Sequence, residues 1–164
     1  IRSFLGNPKS VMAKTTKHPL KKLSSSRSTI ILDYGETMRV VITTNHDHAF
    51  GPRHEESYIK WEGTKGAIKA KMGLLMNYPE GLPDVFEYAT IKSEGDTQYE
   101  WKEVQLEGSW FPEAFIGTMS NLMRYKEGSD AQLHASVQDV LDSMKIVEAC
   151  YRSTTQGGIL LDEL

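Results

Sequence analysis

Near Leu106 the apolar period of this chain changes. From residue 8 to residue 106, β-branched and aromatic residues gather in short runs: Val11 to Thr16, Thr29 to Asp33, Met38 to Thr44, Tyr58 to Glu62, Ala67 to Met72, Val85 to Ile91 and Gln98 to Leu106. Gly, Pro, Asn and Asp bound these runs, which marks them as strands joined by tight turns. Beyond Leu106 apolar residues recur at spacings of three and four, the period of a helix with one buried face. A chain that places its strands first and its helices last does not build alternating βαβ units. The expected class is α+β, with one large, mostly antiparallel sheet and the helices packed on one face.

The punctuation supports this division. Tyr34-Gly35-Glu36-Thr37 and Glu94-Gly95-Asp96 are hairpin turns by composition, and Gly63 and Gly66 bracket a two-residue turn between Ile59/Trp61 and Ile68/Ala70/Met72. In the first helix Phe111, Phe115, Met119, Leu122 and Met123 form the stripe, Pro112 and Glu113 occupy the first turn, and Gly128 follows the end. In the second the stripe is Val137, Val140, Leu141, Met144, Val147 and Tyr151. Ser136 and Asp139 resemble a capping box, Arg152 sits near the last carbonyls, and Gly157-Gly158 supplies the stop. Both stripes are expected to be buried.

The segments "WFPEAFIGTM" and "SVQDVLDSMKIVEACYRS", with a Gly-rich turn before a short apolar strand, resemble the C-terminal end of the Gfo/Idh/MocA family of nicotinamide-dependent oxidoreductases, and "IKWEGTKGAIKAKMG" is a second match. The resemblance extends over nearly the whole chain, in motifs that are structural. It implies that residues 1–164 are the substrate-binding and oligomerising C-terminal domain of such an enzyme. In that family an N-terminal Rossmann domain binds NAD or NADP and carries a Glu-Lys-Pro lysine, and neither feature is in this sequence. An Asp and a His with three residues between them belong to the helix of which "IRSFLGNP" is similar to the tail, so the resemblance places the catalytic histidine just upstream of Ile1. No catalytic or cofactor-binding residue is then expected in this chain. Asp130 and His134 share the Asp-x-x-x-His spacing but fall in the loop before the last helix, outside the context that would give the spacing meaning.

With 164 residues, 39% of them hydrophobic, the chain can bury one core of ordinary size. Nineteen Lys and Arg against twenty-two Asp and Glu give a formal charge of −3, which indicates no polyanionic partner. The basic stretch Lys14, Lys17, His18, Lys21, Lys22 and Arg27 has no aromatic platforms among its cations, so it is a solvated hairpin or loop and not a nucleic-acid surface. The single cysteine, Cys150, forms no internal disulfide and suits a reducing, cytoplasmic setting. No apolar run approaches a membrane span and no signal peptide is visible.

Several strands carry apolar residues at both parities, as in Met38, Val40 and Ile42 against Val41. A sheet covered on one side would then expose a patch unusual for a monomer. The family resemblance implies the same outcome, a homo-oligomer (dimer or tetramer) through the open sheet face.

For chemistry, His46-Asp47-His48 with Arg53, His54, Glu55 and Glu56 is dense in potential ligands, but no CxxC or HExxH companion accompanies it, and no metal is expected. Substrate contact is the sharper expectation. The resemblance places pocket residues just before the strand leading into the Gly63–Gly66 turn, a place held here by Arg53, His54 and Glu55. Imidazole and guanidinium groups donate directional hydrogen bonds suited to a hydroxyl-rich ligand. His46, His48 and Trp110 complete the candidate set, Trp110 as a ring that could stack on a sugar or anchor the core. The double-proline segment Tyr78 to Asp84 is a rigid loop. Two function classes follow: the sugar- or polyol-binding part of a dehydrogenase, or a non-catalytic, regulatory relative with the same fold. This chain alone is expected to bind no nicotinamide and turn over no substrate.

Overall fold

The computed structural model describes residues 1–20, 22, 25–46, 52–73, 76, 77, 80–93, 95, 97–108 and 112–164. In chain order the elements are α1 (Arg2–Leu5), β1 (Ser10–Thr16), β2 (Arg27–Asp33), β3 (Arg39–Asn45), a 3-10 turn (Pro52–His54), β4 (Tyr58–Glu62), β5 (Gly66–Lys71), β6 (Val85–Thr90), β7 (Lys102–Val104), α2 (Ala114–Glu127), α3 (Val137–Gln156), β8 (Ile159–Leu160) and a closing 3-10 turn (Leu161–Glu163). The class is α+β, and the strand runs fall where the period-two pattern put them. Only the last run shrinks markedly, to three residues.

The ladders of the described residues form two four-stranded antiparallel sheets, β3-β2-β1-β8 and β4-β5-β6-β7, where one large sheet was expected. The chain divides correspondingly into two compact units, Ile1–Ala49 with Leu133–Leu164, and Phe50–Gln132. No ladder joins β3 to β4 among the described residues.

In the first unit β1, β2 and β3 are in register through Val11↔Leu32↔Val40 and Ala13↔Ile30↔Ile42. These side chains share one face, and Val11, Ala13 and Leu32 form the core with Ala149, Cys150 and Leu161. Between them α3 lies on the sheet, but not by its expected face. Val137, Val140, Leu141, Met144, Val147 and Tyr151 are 41–78% exposed, while Ala149, Cys150 and Ser153 are buried and Ile146 is partly so. The reason is distance: small side chains let the helix approach until the Ser153 hydroxyl accepts the Ala13 backbone N–H at 2.8 Å and the Thr154 hydroxyl that of Thr15 at 3.3 Å. β8 pairs with β1 only at Ser10 and Val11, so the end of α3 supplies acceptors where β1 has run out of neighbours, protecting an edge. On the opposite face Met12, Ile31 and Val41 line up across the strands, with Met12 56% and Val41 59% exposed.

The helix signals are partly as expected. Ser136 is extended, and its hydroxyl accepts from Asp139 N at 3.2 Å. Gly157 ends α3, but Arg152 pairs with Glu148 at 2.7 Å instead of capping carbonyls. At the end of α2, Gly128 is left-handed, and the Gly128 and Ser129 amides donate to the Tyr125 and Arg124 carbonyls in a Schellman motif. Here too the expected apolar stripe stays open: Phe115, Met119, Leu122 and Met123 are 47–63% exposed. The one buried α2 residue is Asn121, whose amide donates to Asp130 and to the Gln132 carbonyl. Phe111 lies outside the described residues.

α1 is held by Arg2. Its guanidinium donates to Asn7, to the Asp139 carboxylate at 2.7 Å and backbone carbonyl, to Ser143 and to Asp142. In the second unit, β4–β7 place Ile59, Trp61, Ile68, Phe86, Tyr88 and Val104 on one face by register and parity, with Lys60, Lys69, Glu87 and Glu103 on the other. Among the described residues no helix is long and apolar enough to cross a membrane.

Candidate functional site

The turn before β4 carries three of the six candidate residues, and the neighbouring loop explains why it is stiff. Gly63 N donates to Gly66 O at 2.9 Å, so the two-residue turn after β4 forms as its glycines predict, and Met72 N returns to Ser57 O at 3.0 Å. From there the chain turns back at Gly73. Its amide donates to the Asp84 carboxylate at 2.6 Å, and its carbonyl accepts from Met76 and Leu82. A Cβ at this position would stand 1.7 Å from the Leu82 carbonyl oxygen, so the close approach demands glycine. Asn77 has φ 53, takes Gly81 N on its carbonyl, and donates its own amide to Glu55 Oε2 at 3.3 Å.

Glu55 therefore spends a carboxylate oxygen on latching the loop to the turn. Arg53 and His54, in the 3-10 turn itself, are exposed and form no hydrogen bond or ion pair among the described residues. An exposed guanidinium and imidazole side by side on this turn are equipped to bind oxygen acceptors. The cinched loop also walls a cavity of about 450 Å³, lined by Leu82, Pro83, Asp84, Glu103, Val104 and Leu106 among others.

The remaining candidates are placed differently. His46, exposed at the end of β3, donates its backbone N–H to Ser26 O and belongs to the first unit. His48 and Trp110 lie outside the described residues, as do Asp47 and the Tyr78-Pro79 part of the double-proline loop. Among the described residues no three His, Cys, Asp or Glu side chains approach closely enough to hold a metal ion. Asp130 is engaged by Arg124 at 3.1 Å and by Asn121, so its carboxylate secures the loop after α2. His18 is buried, with Nδ1 accepting from Leu20 N at 3.1 Å. Of the latch residues, Asp84 ends the double-proline segment read as a rigid loop, whereas Gly73 and Asn77 were not singled out from the sequence. The one signal pointing to them was the turn-rich composition of the loop.

Among the described residues, the two helices long enough to offer an N-terminal amide nest begin at Glu113 and at Ser136 with Asp139 in the first turn. Carboxylates there already complement the helix dipole and would oppose a pyrophosphate.

No family model and no curated protein matches the sequence. Among solved structures, the chain is similar in fold to an oxidoreductase from Agrobacterium radiobacter in complex with NAD+, L-tartaric acid and magnesium, at 18% identity and TM-score 0.66 over 99% of this chain and 46% of that one. It is also similar to the WlbA dehydrogenase from Bordetella pertussis in complex with NADH and UDP-GlcNAcA, at 18% identity and TM-score 0.61 over 95% of this chain and 39% of that one. At such identities the likeness establishes a shared fold, and the chain spans less than half the length of each of these proteins.

Proposed function

We propose that this chain is the C-terminal domain of a Gfo/Idh/MocA-type NAD(P)-dependent oxidoreductase acting on a sugar or polyol-like small molecule. The observation that carries this reading is its similarity in fold, nearly end to end, to less than half of dinucleotide-bound oxidoreductases. NAD or NADP then belongs to an N-terminal domain, where hydride transfer is completed. Arg53 and His54 contact substrate, Glu55 holds their turn, and His46, His48 and Trp110 are further pocket candidates. The hydroxylated, acidic ligands named with the two relatives support that ligand class.

In the full-length enzyme, Arg53→Ala and His54→Ala should each raise KM for the sugar about tenfold with dinucleotide affinity unchanged. Unchanged kinetics on the true substrate would remove both residues from the pocket. Calorimetry of the present chain should detect no NAD or NADP binding, and micromolar affinity would overturn the division of labour. The domain self-associates through the sheet face bearing Met12, Ile31 and Val41, opposite α3. Sedimentation should show an oligomer at micromolar concentration and a monomer for Val41→Lys; a monomeric parent chain would exclude the interface.

A further inference from the structure

We infer that the splayed end of the β6–β7 hairpin binds a small hydroxylated anion, a sugar acid or sugar phosphate. β6 stays paired to β5 as far as Thr90, opposite Gly66, whereas its pairing with β7 ends at Tyr88, opposite Lys102. Beyond that point the two segments part around a cavity of about 280 Å³, near the lower end of small-ligand sites. Its lining comes from both sides at alternate positions: Tyr88, Thr90 and Lys92 on one, and Lys102, Glu100 and Gln98 on the other, with Tyr99 beside them.

The chemistry of these groups is complementary to one kind of molecule. Lys92 and Lys102 form no ion pair among the described residues, unlike Lys60 on β4, which meets Glu62 at 2.9 Å. Lys92 and Lys102 are two exposed ammonium groups against the single Glu100 carboxylate in this lining, and an anion seated there would accept charge-assisted hydrogen bonds from them. The Tyr88 phenol, the Thr90 hydroxyl, the Gln98 amide and the Glu100 carboxylate offer both donors and acceptors to neighbouring hydroxyl groups. A bare inorganic ion would use the lysines alone, and a neutral sugar would offer them no charge to pair with. This site does not rest on the role proposed for Arg53 and His54.

The test is an amide-resolved NMR titration of the 164-residue chain with gluconate, glucose 6-phosphate, glucose and inorganic phosphate. One or both hydroxylated anions should shift the Tyr88, Thr90 and Lys102 amides saturably at millimolar concentration, and the tighter of the two identifies carboxylate or phosphate as the preferred group. Glucose and inorganic phosphate should each bind at least about tenfold more weakly. Lys92→Gln combined with Lys102→Gln should weaken the anion by about tenfold or more with an unchanged unfolding midpoint, and Arg53→Ala should have no effect. Absence of saturable shifts overturns the inference. So does equal binding of glucose or of inorganic phosphate, or shifts that survive the double variant.

Discussion

Ser153→Ala tests the contact that seats α3 on its sheet. The hydroxyl is in a residue 4% exposed and accepts Ala13 N–H at 2.8 Å. Around it Val11 and Ala149 are wholly buried and Cys150 nearly so, which leaves no route for water to replace the acceptor. Alanine keeps the helix and removes almost no volume, so the change isolates an unpaired buried donor, a penalty of about 1–3 kcal/mol. A loss of about 2 kcal/mol is expected. Thr154→Val provides the internal comparison. Its contact to Thr15 N is longer, 3.3 Å, and only half-buried, so water can substitute and the cost should be about 0.5 kcal/mol. Urea unfolding measures both losses, and hydrogen exchange locates them: Ala13 N–H should exchange roughly 30-fold faster in Ser153→Ala. If Ser153→Ala stays within about 0.5 kcal/mol of the parent with Ala13 protection intact, or if Thr154→Val costs as much, the edge-capping account fails.

Arg2→Ala should cost about 1–2 kcal/mol, less than its five donated hydrogen bonds suggest, because the Asp139 side chain is 49% exposed and screened. A double-mutant cycle with Asp142→Asn checks this, and a coupling near zero would make the contact at 3.3 Å incidental. Gly73→Ala should cost about 2–3 kcal/mol by driving a Cβ into the Leu82 carbonyl, seen as a lower unfolding midpoint with lost protection at Leu82 N–H; parent-like stability would contradict the cinched loop. Burial pushes the Cys150 thiol above its ordinary pKa of 9.0. The folded chain thus keeps a proton that the unfolded chain releases, so the thiol's contribution is complete below that pH and is lost as pH rises beyond it. Urea midpoints should fall more steeply above that pH in the parent than in Cys150→Ala, and parallel profiles would contradict the burial.

Ser136, Gly128 and the Gly63–Gly66 turn were legible because each acts on amides within a few residues of itself. The Arg53–His54–Glu55 turn was also legible as a polar cluster before a strand. The separate role of Glu55 was not, since its partner Asn77 lies twenty-two positions away in a loop whose shape depends on Gly73 and Asp84. The helix faces show the same boundary from the other side. Periodicity located α3 well, yet it favoured the larger residues Val140, Met144 and Val147, whereas the sheet received Ala149, Cys150 and Ser153.

By itself, then, the order of periods determined an α+β chain, the approximate strand spans and most helix stops, because turn and cap chemistry is local. Tertiary structure decided that β8 joins β1, that the ladders form two sheets, and which side of α3 is buried. Those outcomes depend on how closely two backbones can approach, and that distance is set by small side chains and hydroxyl acceptors far apart in the sequence.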